Sequence, residues 1–451
     1  MATYIRIFIF FLSIDTMAFP VLIEGKLSIP NLEKIRIYKF DFPLQKSITL
    51  AEGLVKADGR YRISFDIKGP ELASIFNNTV YISPYDTIKI DFQTTTLMQV
   101  SGKNKGNYTF FGYISNVDTP QLEQFGSNFN RYKQSLKSFY EDLSIKFLDF
   151  KKENQVSNEF IEFVNNEFRY KYLYNLTISY EKTLNDSLRR DYLLDVSFDD
   201  FNKDFFISNT YSMALRQYSY IVSNKKKDNT EDNLKHYIGV VNKMFKGKDK
   251  DFLNYFIFRI MAKTQLPSYK KLIDSTFVVF RKSIENELYL EQVNNWKNYY
   301  DLSNKPFPDE VLTSVAYAYD KQKMTFGDII DRYKGKILYI DFWAKWCGGC
   351  ISQFPYSKQI EAKFEEKDIV FLYFSVDDTI DDWLKGVKKH ELNPDRQYFI
   401  GKMSKSKIIE YLKLSAIPRY IILNRKGELA ILDAPTPMEK AALNLAFSEI
   451  K

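Results

Sequence analysis

Cysteine is nearly absent: Cys347 and Cys350 are the only two in 451 residues. That scarcity excludes a framework of structural disulfides, so any bridge must be local. Histidine is equally rare, at His236 and His390, far apart in the chain. A structural zinc takes four protein ligands, and the donors to complete such a set are missing. Long apolar runs are missing too. In the opening stretch "MATYIRIFIFFLSIDTMAFP", Asp15 interrupts the run from Ile7 to Ile14, well short of the ~20 residues a spanning helix needs. Positive charge is nowhere concentrated. The net charge of +7 is spread among interleaved acids, and the densest run, "NKKKDN" at 224–229, reads as a solvated loop. A nucleic-acid surface or an acidic-lipid surface would gather its cations into one stripe, so both are excluded.

What is present is ordinary folded-protein material, with 45% apolar and 27% charged residues, which argues against disorder. The length predicts two or three domains. Tyrosine and phenylalanine are abundant, at 32 and 38, and supply core rather than nucleic-acid stacking surface. Arg6, the short apolar run and the small residues around Thr16-Met17-Ala18 have the layout of a secretory signal peptide over residues 1–18. No cysteine stands at the cleavage point to carry a lipid. The expectation is therefore export to the periplasm or cell envelope with no membrane anchor.

From Val21 to Phe111 the pattern has period two. In "GRYRISFDIKG", Tyr61, Ile63, Phe65 and Ile67 share one face, just after the turn signal Asp58-Gly59, and "DTIKIDF" repeats the alternation. Residues 19–117 are thus expected to form an antiparallel, sandwich-like β domain. No proline occurs between Pro120 and Pro267, and Phe160, Ile161, Val164 and Phe168 fall on one helical face. Residues 118–304 read as a helical middle domain. "SNKPFPDE" at 303–310 is a natural joint. Beyond it, from 311 to 451, strand and helix alternate. "KILYIDFWA", "DIVFLYFSV", "RYIILN" and "GELAILD" are strands, and "CISQFPYSKQIEAKFEEK", "TIDDWLKGVKKH", "SKSKIIEYLK" and "PMEKAALNLAFSEI" are helices. That order predicts an α/β layer with parallel strands and a terminal hairpin.

Two cysteines two residues apart can hold a metal, clip the chain, or cycle between dithiol and disulfide. Ligands for a metal are lacking, and a clip across two residues removes little unfolded-state entropy. A pair at a strand-to-helix junction has a better use. At the helix start, the sulfur of Cys347 meets unpaired N–H groups that favour thiolate. Cys350, one turn on, is then placed to attack a mixed disulfide on Cys347 and release the partner.

"DFWAKWCGGC" resembles the active-site segment of thioredoxin. The resemblance implies that Asp341, six residues before Cys347, is the buried acid that moves the proton of the resolving cysteine. It implies that Pro355 kinks the active-site helix, and that Ile417-Pro418 is the cis-proline loop that receives substrate backbone. Trp346 reads as packing or as contact surface. The segments "TFGDIIDRYKGKILYIDFWA", "FLYFSVDDTIDDWLKGVKKHEL" and "LSAIPRYIILNRKGEL" look most like the TlpA/ResA group of exported thiol-disulfide oxidoreductases, in the long multidomain form common in Bacteroidetes. A C-terminal thioredoxin fold follows from that likeness. So do protein disulfide or dithiol substrates, a membrane electron donor of the cytochrome c maturation type, and no dissociable cofactor. Two positions depart from thioredoxin: Gly349 replaces the usual proline before the second cysteine, and Arg419 follows the cis-proline. The rival expectation is an envelope binding or scaffolding protein in which the thioredoxin domain is auxiliary.

Overall fold

A computed structural model describes residues 18–450 apart from 43, 45, 115–116, 127, 181–195, 202–204, 224–230, 304, 365–367, 377–378 and 402–405. The leader, Ala18 aside, and the "NKKKDN" run lie outside the described residues. The chain divides into two compact units, Met1–Lys225 with Lys243–Asp249, and Lys226–Asn242 with Lys250–Lys451.

The first unit opens with eight strands in two four-stranded sheets. One sheet holds β1 (Phe19–Lys26), β4 (Arg60–Ile67), β7 (Thr87–Phe92) and β8 (Met98–Gly102). The other holds β2 (Lys34–Asp41), β3 (Lys46–Leu54), β5 (Glu71–Ile75) and β6 (Asn78–Ile82). The alternation read from the sequence buries Ile23, Ile63, Ile88 and Ile90 of the first sheet against Ile37, Ile75 and Val80 of the second in one shared core. All pairings are antiparallel except β1 with β7, which run parallel. Period-two patterning is blind to strand direction. Helices α1 (Gly106–Tyr113), α2 (Phe129–Glu153), α3 (Asn158–Tyr180) and α4 (Asn209–Val222) follow. In α2 the buried residues Tyr132, Leu136, Tyr140, Leu143, Phe147 and Phe150 recur at three- and four-residue steps. Asn128 caps its start by accepting the N–H of Arg131.

The second unit carries most of α5 (Glu231–Met244) and α6 (Gly247–Thr264), with α7 (Lys270–Ser283), α8 (Glu287–Tyr300) and the single turn α9 (Asp309–Leu312). These precede a seven-stranded sheet in the order β10-β9-β13-β12-β11-β14-β15. Its centre is β11 (Ile337–Trp343), parallel to β12 (Ile369–Val376) on one side and antiparallel to β14 (Arg419–Leu423) on the other. β13 (Gln397–Gly401) runs parallel to β12, and β15 (Leu429–Ile431) closes the hairpin with β14. A short hairpin of β9 (Val315–Ala318) and β10 (Lys323–Thr325) extends the far edge; the sequence reading passed over these three- and four-residue strands. All seven residues of β11 and all eight of β12 are buried, as expected of strands covered on both faces.

Alternation along β11 sorts the two faces. Leu338, Ile340 and Phe342 join Leu372, Phe374, Ile421 and Leu423 in the apolar core beneath α10 (Phe326–Arg332) and α14 (Lys407–Tyr411). Tyr339, Asp341 and Trp343 point to the opposite face, where Tyr339 meets Phe447 of α15 (Lys440–Glu449) and Trp343 meets Phe354. Leu372 is fully buried in the first of these layers. Leu372→Ala is expected to destabilise this unit by about 2–5 kcal/mol, read as a lower urea midpoint of tryptophan fluorescence, since all four tryptophans lie in residues 296–383.

Candidate active site

The strand β11 ends at Trp343, and four residues later the chain starts a helix at Cys347. The sequence reading has "CISQFPYSKQIEAKFEEK" as helix, with the resemblance implying a kink at Pro355. The structure instead shows a single turn, α11 (Gly348–Ile351), then a break, then α12 (Phe354–Phe364). Pro355 explains the break: it has no N–H to donate to the carbonyl of residue 351, and its ring crowds that carbonyl. The Gln353 N–H turns instead to the carbonyl of Cys350 at 3.0 Å. Electrostatic help for Cys347 therefore comes from the N–H groups of one turn, not from a long helix dipole.

Cys347 is the N-cap of α11, and its sulfur accepts the N–H of Cys350 at 3.1 Å. The two cysteines are joined by a disulfide, with Cα atoms 5.3 Å apart. Their environments differ in degree. Cys347 keeps 6% exposure, whereas Cys350 has none. Immediately before them Trp346 is 60% exposed, a large apolar ring left on the surface.

The peptide bond between Ile417 and Pro418 is cis. Pro418 is exposed, Ile417 is half-buried, and the pair leads directly into β14. Tertiary structure brings this loop to the cysteines. A Cβ built on Gly349 would lie 3.4 Å from Cδ of Pro418. The side chain that Gly349 lacks is space shared with the cis-proline, at ordinary van der Waals contact. Arg419, by contrast, turns its guanidinium away to the 432–433 segment: its Nε donates to the carbonyl of Leu432 at 3.0 Å and lies 3.6 Å from Asp433.

Asp341 sits in the middle of β11, paired in register with Tyr373 and Tyr420. It is 1% exposed, and neither carboxylate oxygen has a hydrogen-bond partner among the described residues. Burial, and secondarily the charge of Glu361, hold its carboxyl well above the usual carboxylate range. A carboxyl raised in this way binds a proton more readily than a solvated aspartate and so is better suited to take one up and give it back. The strand that carries it runs into the loop that carries Cys347.

A family model described as thioredoxin-like matches residues 335–429. Residues 335–429 form a thioredoxin-like domain. The thiol-disulfide oxidoreductase ResA of Bacillus cereus is 24% identical to this chain over 125 residues, 28% of this chain and 65% of that protein. ResA of Oceanobacillus iheyensis is 29% identical over 72 residues, 16% of this chain and 35% of its own length. Thus the chain spans less than two thirds of each of these relatives. Among solved structures, the thioredoxin domain of a thiol-disulfide oxidoreductase from Bacteroides vulgatus is 17% identical, with a TM-score of 0.27, covering 32% of this chain and all of that one. All of these matches leave most of the chain uncovered.

In the thioredoxin-like domain, the segments that carried the resemblance converge: Cys347, Cys350 and Pro418 at one end of the sheet, with Asp341 in the strand leading there. Sequence reasoning missed Lys345, whose ammonium pairs with Asp382 at 2.8 Å and ties the loop before Trp346 to the first turn of α13 (Ile380–Lys389). It also missed Gly386 of that helix, where an added Cβ would lie 3.1 Å from the ring of Trp343. No local pattern marks either one. Among the described residues no cluster of three or more histidine, cysteine or acidic side chains could hold a metal, and no helix is long and apolar enough to cross a membrane.

The raised Asp341 has a stability signature. Its proton is held more tightly in the folded chain than in the unfolded one, so its contribution is fully present below the unfolded value, near pH ~4, and is lost as pH rises toward the folded value. Wild-type stability relative to Asp341→Asn should accordingly be greatest near pH 4 and decline toward pH 8, measured as the difference between their urea midpoints.

Proposed function

We propose that this protein is a thiol-disulfide oxidoreductase of the cell envelope, exchanging disulfides with protein substrates through Cys347 and Cys350 and acting as a reductant. The observation that carries the reading is the Cys347–Cys350 disulfide at a helix N-cap, packed beside the cis Ile417–Pro418 loop, with the unpaired acid Asp341 in the preceding strand. In this reading the leader over residues 1–18 directs export. Residues 19–117 and 118–304 precede a catalytic domain over 311–451, and a membrane electron donor of the cytochrome c maturation type returns the enzyme to its dithiol form.

The steps balance as follows. The Cys347 thiolate attacks one sulfur of the substrate disulfide; a Cys347–substrate S–S bond forms, and the displaced substrate sulfur leaves as thiolate and takes a proton from solvent. Cys350 gives its proton to the Asp341 carboxylate and attacks Sγ of Cys347. The second substrate sulfur leaves as thiolate and takes a proton from solvent, Asp341 returns the Cys350 proton to solvent, and the 347–350 disulfide closes. Two electrons and two protons pass to the substrate. The small exposure of Cys347 and the burial of Cys350 support this order of attack, since a buried thiol meets a partner only after it has been tethered next door. Trp346 and Pro418 are exposed and apolar beside the dithiol, a surface suited to an unfolded or extended substrate segment.

The decisive experiment equilibrates the purified protein in graded thiol buffers. A reversible two-electron transition with a potential near thioredoxin's, about −270 mV, is expected, and is lost in Cys347→Ser. A value nearer about −120 mV would reverse the direction and make the protein an oxidant. Cys350→Ala should accumulate a mixed disulfide with substrate proteins, visible on non-reducing gels, and Cys347→Ala should not. If Cys347→Ser leaves biological activity unchanged, the binding or scaffolding role replaces the enzymatic one.

A further inference from the structure

The sheet face that carries Asp341 also carries polar side chains that the exchange reaction leaves unused. Register places Tyr420 beside Asp341 on one side and Tyr373 on the other, and Tyr373 beside Gln397 in turn. Four polar side chains therefore cross the sheet in a line, each no more than 3% exposed. The Tyr420 hydroxyl, both oxygens of Asp341 and the whole amide of Gln397 lack hydrogen-bond partners among the described residues. Tyr373 differs. Its hydroxyl donates to Oε1 of Glu361 at 2.5 Å, a charge-assisted bond at the short end of its range. Glu361 is half-buried on α12, and α12 packs on this same face through Phe354, whose ring meets Trp343 and Tyr373.

The Tyr373 hydroxyl thus pins a second carboxylate over the face that holds Asp341. Two carboxyl groups sharing a poorly solvated region cannot both ionise cheaply. The groups facing Asp341 are the phenols of Tyr339 on its own strand, Tyr373 on β12 and Tyr420 on β14, and Glu361 on α12; Glu439, just before α15, acts on Tyr339 from the same side. Glu361 is the one of these whose charge bears on the Asp341 carboxyl, and it favours the protonated form.

We propose that Glu361, held in place by the Tyr373 hydroxyl, sets the pH at which Asp341 can take the proton of Cys350, and so paces closure of the disulfide. Glu361 and Tyr373 are positioning residues, and their role rests on the exchange reaction proposed above. A charged Glu361 makes Asp341 a stronger base but leaves it ionised only at higher pH.

The test uses the reduced full chain and the aromatic disulfide dithiobis(nitrobenzoate) in single-turnover stopped flow. Cys347 attack releases one nitrothiobenzoate. Cys350 attack on the resulting mixed disulfide releases the second, and the pH dependence of that second phase reports Asp341. In Glu361→Gln, which keeps an acceptor for the Tyr373 hydroxyl, the second-phase midpoint should move to lower pH by about one unit. Tyr373→Phe should move it the same way by less, and the first-phase profile should stay unchanged in both. A wild-type midpoint in Glu361→Gln, with Asp341→Asn abolishing the pH dependence, overturns the role of Glu361 and leaves the exchange reading intact. A second phase unaltered by Asp341→Asn overturns the roles of Asp341 and Glu361 and leaves the Cys347/Cys350 exchange intact, whereas an absent second phase overturns both.

Discussion

Everything at the candidate site hangs on the pairing of β11. This strand is hydrogen-bonded along both edges and covered on both faces, so it has no freedom to slide or tilt. A one-residue slip would send Asp341 into the apolar layer and bring Leu338, Ile340 and Phe342 round to the polar face. The register with β14 also fixes where that strand begins, and with it where the cis Ile417–Pro418 loop stands. The acid and the cysteines come from one stretch of chain and the proline from another, 68 residues beyond Cys350. One strand's hydrogen bonds hold them in a common frame.

The same burial that makes the frame rigid makes it costly. Asp341 brings an ionisable group into a layer of aromatic rings with no cation or donor bonded to it among the described residues. An apolar residue there would pack at no such cost. The expense makes sense if the group must change protonation state during turnover, because a well-paired carboxylate would be locked in its charged form. Tyr373 and Glu361 extend this logic. They add a second acid near the first, at a distance where charge matters but no direct bond is made.

Much of this was legible in the residues themselves. The two cysteines, their spacing, Trp346, Asp341 and the Ile417-Pro418 pair all stand in recognisable local order, and runs such as "DIVFLYFSV" read as buried strands by composition alone. Alternation in "GRYRISFDIKG" disclosed a sandwich face. The break between α11 and α12 was less visible, because Pro355 can sit in the first turn of a helix or interrupt one, and only the backbone bonds of Gln353 decide. The parallel pairing of β1 with β7 was invisible for a similar reason: alternation reports which face a side chain takes, not which way its neighbour runs.

By itself, the sequence determined the chemistry available to this protein: a single dithiol with no metal donors around it, at a strand-to-helix junction. Spacing along the chain is enough for that, since Cys347 and Cys350 lie within one helical turn. Only the tertiary structure decided what surrounds the dithiol. That Pro418 borders the space a side chain at 349 would occupy, that Arg419 turns away toward Asp433, and that Glu361 is fastened by Tyr373 over the face of Asp341 are relations between residues 12 to 69 positions apart. Such relations arise from sheet register and helix packing, and these depend on the whole core closing at once rather than on any local stretch of sequence.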